Sequence, residues 1–269
     1  MGRPVVPVDS WSGGDSYESY VGRWSRLVAQ EFVRRLAVPP GARWLDVGCG
    51  TGALTETVLV ERSPAAIVGV DPSPDFLALA ATRIPEPRAT FRPGHAQALP
   101  LEDAAVDVVV SGLVLNFVPD RVAALGEMRR VIRPGGTVAA YVWDYPGGMQ
   151  LMTYFWDAAV DRDPSAGPLH EGARFRFCRP DPLRSLFLAA GLLGVEVEPV
   201  VVPTVFADFD DYWTPFLHGE APAPSYVRSL GDGPRTALRD ALHQRLPVRD
   251  DGSIHLTARA WAVRGVDGG

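Results

Sequence analysis

"WLDVGCGTGALTE", residues 44–56, decides the fold. Trp44, Leu45 and Val47 bracket one acid in a short buried-strand pattern, three glycines follow within five residues, and Ala53-Leu54 opens a helical period. A strand that runs through a glycine turn into a helix is the first half of a β-α-β unit, and the same alternation continues outward. The spacing predicts strands near 42–48, 66–71, 90–94, 106–111 and 137–142. Helices are predicted near 52–60, 74–83 and 120–132, with the turn "RPGG" at 133–136. The run "VDVVVSGLVL" is almost continuously apolar, which a strand covered on both faces requires. The expectation is an α/β fold with a doubly wound, mostly parallel sheet.

The flanks read differently. Residues 1–15 are rich in Gly, Pro and Ser without a period and are expected to be a mobile tail. From Tyr17 to Leu36, Tyr20, Trp24, Leu27, Val28, Phe32 and Leu36 recur at helical spacing until "VPPG" at 38–41 stops the helix. Beyond Trp143, residues 149–160 and 180–191 look helical, and residues 195–206 and 253–265 alternate like strands. Roughly 45 residues separate those two strands, too many for a plain connection and suited to a cap. Residues 16–269 are therefore expected to form a single domain, with a core over 40–145 and cap insertions over about 146–180 and 206–250.

Composition removes several function classes. The net charge is -6 with a pI near 5.4, and no basic run with interleaved aromatics is present, so nucleic acid is not an expected partner. All 26 basic residues are Arg, which leaves no Schiff-base or phosphate-loop lysine. Two distant cysteines, Cys49 and Cys178, suit neither a disulfide framework nor a structural zinc site, and point to the reducing cytoplasm. The amino terminus has no secretory apolar core, and no long apolar run suggests a membrane span.

The glycine loop has two readings. Gly48, Gly50 and Ala53 satisfy the dinucleotide pattern G-x-G-x-x-A, and Asp71 ends the next strand about 20 residues on, where a carboxylate accepts ribose hydroxyls. Asp46, two residues before the first glycine, disfavours a pyrophosphate and favours a cation. S-adenosylmethionine carries an ammonium, a sulfonium and a ribose but no phosphate, and Gly52 lengthens the loop to G-x-G-x-G.

Four ordered stretches carry a more specific signal: "LDVGCGTG", "VGVDPSPDFLALA", "GHAQALPLEDAAVDVVVSGLVLNFVPD" and "EMRRVIRPGGTV". Together they resemble the successive motifs of class I S-adenosylmethionine-dependent methyltransferases, of the small-molecule kind related to ubiquinone and menaquinone methyltransferases. The resemblance implies a seven-stranded Rossmann-like sheet whose last strand, here near 256–264, runs antiparallel, with a helical amino-terminal lid. It implies that Asp46 and Gly48 lie beside the methionine part of the cofactor, with Gly50 in the same loop, that Asp71 takes the ribose, and that Pro72 and Ser73 lie beside the adenine. At the third motif the family commonly has Gly-Asp-Ala, whereas this chain reads Gly94-His95-Ala96, so the adenine contacts fall to His95, Ala96 and Gln97. The stretch Ser111 to Asn116 corresponds to backbone laid against the amino acid moiety. Asn116 and Phe117 stand where many members carry a histidine. "YESYVGRWS" resembles the helix that closes over the cofactor, which makes Tyr20 and Arg23 candidates for its carboxylate.

The expected activity is methyl transfer to a small organic acceptor at O, C or N, by in-line displacement that depends on proximity and orientation. No catalytic residue is assigned; Asp144, His170, Glu171 and His218 are the candidates for a general base. Trp143, Asp144 and Tyr145 follow the fifth strand, and Trp156, Phe206, Trp213 and Phe216 lie in the later insertions, which suggests an apolar or aromatic acceptor. About half of those aromatics are expected only to glue the cap. The aspartates of "FADFDDYW" have no neighbouring His or Cys, so no metal is expected. The competing readings are an NAD-dependent oxidoreductase and a non-catalytic protein that binds the cofactor for regulation.

Overall fold

The computed structural model describes residues 22–218 and 221–269. Helix α1 is Arg23–Arg35, and the alternation follows: β1 Arg43–Val47, α2 Ala53–Arg62, β2 Ala66–Asp71, α3 Pro74–Arg83, β3 Ala89–Pro93, β4 Val106–Gly112, α4 Arg121–Val131 and β5 Ile132–Trp143. Then come α5 Gln150–Arg162, α6 Glu171–Arg174, α7 Pro180–Ala189, β6 Leu192–Phe206, α8 Phe209–Trp213, α9 Pro222–Ser229, α10 Asp232–Arg245 and β7 Ile254–Asp267. The expected tail at 1–15 and the start of the first helix, Tyr20 included, lie outside the described residues.

The seven strands form one sheet in the order β3-β2-β1-β4-β5-β7-β6. Strand β1 pairs in parallel with β2 on one side and β4 on the other, and β4 pairs in parallel with β5. Strand β7 is antiparallel to β5, from Thr137↔Val266 to Trp143↔Ala260, as the resemblance implies. Chain order reverses direction between β1 and β4, and in an open sheet the crevice outside that switch point is where ligands bind.

Sequence chemistry sets the helix starts. Ser73 accepts the Phe76 N–H and Pro74 follows at the first helical position, while Asp120 accepts the Ala123 N–H at the start of α4. One expectation is corrected: "RPGG" does not precede the fifth strand but interrupts it. Pairing with β4 jumps from Val106↔Ile132 to Val108↔Thr137, because Pro134 has no N–H to donate and Gly135 sits at φ +78°.

The chain divides into two compact units. One comprises residues 26–143, 177–200 and 260–269 and has a core of aliphatic and aromatic side chains such as Trp44, Leu45, Ile67, Val109 and Val138. In it Phe32 packs on Tyr141 at 4.7 Å, and Arg62 donates to the Val33 carbonyl that ends α1. The other comprises the described residues among 1–25 together with 144–176 and 201–259. Its core is aromatic: Phe155 stacks on Phe216 with centroids 4.4 Å apart, and Tyr212 lies against both Phe206 and Phe216. Among the described residues, no helix is long and apolar enough to cross a membrane.

Candidate functional site

The carboxyl ends of β1, β2 and β4 bring the glycine loop, Asp71 and the Leu113–Asn116 turn to one end of the sheet. The loop is pinned from below by the Gly48 and Cys49 N–H groups, which both donate to the Val70 carbonyl at 2.7 and 3.1 Å. Gly48 adopts φ +75°, and a Cβ there would lie 2.5 Å from Val114 of the turn after β4, so this glycine is required by packing. Gly50, at φ +52°, has nothing within 4 Å of where its Cβ would be. One glycine is closed by protein, and the other opens on free space.

Asp71 organises that open face. Its Oδ2 accepts the Gly50 N–H at 3.0 Å and its Oδ1 accepts the Ser73 N–H at 2.9 Å. Each oxygen keeps a lone pair, so the carboxylate remains an acceptor while it holds the loop. Ser73 spends its hydroxyl on the α3 cap, and Pro72 is exposed beside it. His95 is exposed, and Ala96 and Gln97 are half-buried in the turn after β3, where the Ala98 N–H donates to the His95 carbonyl.

Asp46 is fully buried beneath the loop. Burial pushes its pKa up to about 7, Asp71 adds to the rise, and the hydrogen bond from Thr55 opposes it. The Thr55 hydroxyl donates to Oδ2 at 2.8 Å, and Oδ1 has no partner among the described residues. Ser111 is buried and donates to the Val47 carbonyl at 2.8 Å, which locks β4 to the end of β1. Beyond it Leu113 adopts φ +61°, a strained value for a side chain of its size. Asn116 is 4% exposed, and its Nδ2 has no partner among the described residues. A buried acceptor and a buried donor thus both await partners in segments that flank the switch point.

Sequence reading missed Thr55, although it lies within the quoted stretch, because a threonine inside a helix carries no signal of its own. It also missed the orphaned amide of Asn116.

Most of the remaining candidates have partners elsewhere. Arg23 pairs with Asp211 at 3.1 Å and lies over the rings of Trp24 and Phe206. Asp144 is 4% exposed and accepts from Arg259 Nε and Nη2 at 2.7 and 2.6 Å. Glu171 is buried and accepts from the Trp156 indole. His170 accepts the Gly172 N–H on Nδ1 at 2.7 Å and stacks on Trp156, and burial lowers its pKa. His218 is exposed. Trp143, Tyr145, Trp156, Phe206, Trp213 and Phe216 are all buried, and each of the last four packs against another aromatic ring. Among the described residues, no group of three or more His, Cys, Asp and Glu side chains could hold a metal ion.

Residues 45–140 match the family model described as a methyltransferase domain. A demethylmenaquinone methyltransferase of Anoxybacillus flavithermus is 31% identical over 185 residues, which cover 63% of this chain and 78% of that protein. The chain belongs to the class I S-adenosylmethionine-dependent methyltransferases. Its cofactor is S-adenosylmethionine, and the dinucleotide reading of the loop falls away. An uncharacterized protein of Mycobacterium tuberculosis is 33% identical over 141 residues, and this chain spans 51% of the length of that relative. The fold is also that of a Haemonchus contortus phosphoethanolamine N-methyltransferase solved in complex with S-adenosyl-L-methionine. The TM-score is 0.58 at 16% identity, over 95% of this chain and 56% of that one.

Proposed function

We propose that this methyltransferase acts on a small organic acceptor, apolar or aromatic, in the cytoplasm, and that the glycine loop holds the cofactor. The observation that carries this reading is the pair of acids on the loop, Asp46 beneath it and Asp71 beside Gly50. The site's own chemistry fits the group. Gly50 leaves room for close backbone approach, Asp71 keeps lone pairs for two ribose hydroxyls, and the orphaned Asp46 Oδ1 suits an ammonium. Pro72 and Ser73, with His95, Ala96 and Gln97, would flank the adenine. Ser111 would hold the end of β4 in place beside the amino acid moiety. Tyr20 and Arg23 were the sequence candidates for the cofactor carboxylate. Arg23 pairs with Asp211 through Nη1 but keeps an unpartnered Nε, and we add to these candidates the free donor Nδ2 of Asn116.

When bound, S-adenosylmethionine supplies an electrophilic methyl group whose bond to sulfur breaks as the acceptor atom bonds to it. The chain's part is to bind, orient and exclude water. Asp144 and Glu171 are committed to Arg259 and Trp156, and His170 Nδ1 is committed to Gly172, so none of them offers a ready base. With His218 the one candidate base left uncommitted among the described residues, the reading favours an acceptor that needs little help in losing its proton, such as a phenol, a hydroxyquinone or an acidic carbon.

The test is transfer of labelled methyl from S-adenosylmethionine to a panel of small phenols, quinols, 1,3-dicarbonyl compounds and aliphatic amines, with demethylmenaquinone included because of the relative's activity. Transfer to the acidic aromatic members, abolished by Asp71→Ala, is the expected result. Tight cofactor binding with no transfer to any of them would favour a regulatory role.

A further inference from the structure

We infer that Thr55 is a positioning residue for the cofactor's amino acid end: its hydroxyl holds one oxygen of the Asp46 carboxylate so that the other stays charged and turned free for the ammonium. The inference rests on the loop reading proposed above and adds to it a residue in helix α2.

Asp46 and Thr55 are both fully buried, nine residues apart, one at the end of β1 and the other in the first turn of α2. Their 2.8 Å contact is the one hydrogen bond that another side chain makes to Asp46 among the described residues, and it goes to Oδ2 alone; the Thr55 backbone N–H adds a weaker contribution in the same direction. A carboxylate can spin about its terminal torsion, and a single strong donor fixes which oxygen faces which way. A buried carboxylate with one free oxygen has lost hydration that only a ligand can replace, as any unpaired buried charge has. An ammonium supplies both the hydrogen bond and the countercharge.

The surroundings leave this task to Thr55. The groups that bear electrostatically on Asp46 are Asp71 at the end of β2, whose charge opposes ionisation, and the Cys49 thiol in the loop, which burial keeps protonated. Its register partners, Gly69 on β2 and Val110 on β4, carry no charge. Thr55 is thus the side chain that favours the ionised form, against burial and against Asp71.

The test compares two ligands that share the thioadenosine group. S-adenosylhomocysteine carries the amino acid end and 5′-deoxy-5′-methylthioadenosine lacks it. Affinities are measured by calorimetry between pH 5.5 and 8.5 for the wild type, Thr55→Val, Thr55→Ser and Asp46→Asn. For the wild type, S-adenosylhomocysteine should bind more tightly as pH rises, because Asp46 must ionise to receive the ammonium, while the methylthio compound should respond little. Thr55→Val should move that profile to higher pH and weaken S-adenosylhomocysteine roughly tenfold at pH 7, the loss expected of a charge-assisted hydrogen bond, with the methylthio compound unchanged. Thr55→Ser, which keeps the hydroxyl, should restore the wild-type profile.

The inference is overturned if Thr55→Val leaves the profile in place, or weakens both ligands equally, as mere loosening of α2 would. Asp46→Asn separates this from the underlying reading. If that variant loses S-adenosylhomocysteine but Thr55→Val does not, only the positioning role falls; if it binds as the wild type does, the ammonium assignment itself falls.

Discussion

Asp46 carries a conflict between stability and binding. Its pKa, near 3.8 in an unfolded chain, rises to about 7 in the fold because the side chain is buried. A raised carboxylate pKa means that the folded state binds the proton more tightly, so stability is full below about pH 4 and declines as pH rises toward 7. Three units correspond to at most about 4 kcal/mol. Asp46→Asn keeps an acceptor for Thr55 and removes the ionisation. The cofactor-free variant should therefore resist urea better than the wild type at pH 8, with the difference gone at pH 4, while its affinity for S-adenosylmethionine falls. Equal urea midpoints at pH 8 would show that the buried charge is relieved in some other way. The sequence put an acid before the first glycine and made a cation plausible, and that was legible. The burial and the hydrogen bond from the Thr55 hydroxyl were not, since they depend on where α2 sets Thr55 against the end of β1.

At the scale of the element, the glycine loop contains two glycines with opposite duties. Gly48→Ala adds a Cβ 2.5 Å from Val114 at φ +75°, and should destabilise the fold by about 1–3 kcal/mol in thermal unfolding. Gly50→Ala meets no atom within 4 Å and should cost only about 1 kcal/mol of backbone strain, yet weaken cofactor binding at least roughly tenfold, because the new methyl stands on the open face. A Gly50→Ala variant with unaltered affinity would move the ligand off this face. The strand and helix order from β1 to β5 was legible because period and punctuation agree along it: apolar runs, then glycine, serine or aspartate at the helix starts. "RPGG" was misread as a boundary because its residues say turn whichever strand surrounds them, and only pairing with β4 reveals an interruption inside β5.

At the scale of the molecule, each unit has its own core, and the aromatic one was the harder to read. Trp156, Phe206 and Phe216 invite a pocket on composition, but each is buried against other rings. Side chains far apart in sequence, such as Phe155 and Phe216, show no relation until the chain folds. Phe216→Ala should therefore cost about 3–5 kcal/mol and lower the melting temperature strongly, and a near-neutral effect would return Phe216 to the ligand-lining role. Ligand binding to the folded state alone gives a second global readout. S-adenosylhomocysteine at 100 times its Kd should add about 2.7 kcal/mol, roughly 5–10 °C in Tm, and NAD should add nothing. The most direct test of the whole account is a crystal structure of the complex with S-adenosylhomocysteine. The account predicts ribose hydroxyls on Asp71, the ammonium within hydrogen-bond distance of Asp46 Oδ1 and the thioadenosine over Gly50; a ligand seated elsewhere, with Asp46 Oδ1 still unpartnered, would contradict it.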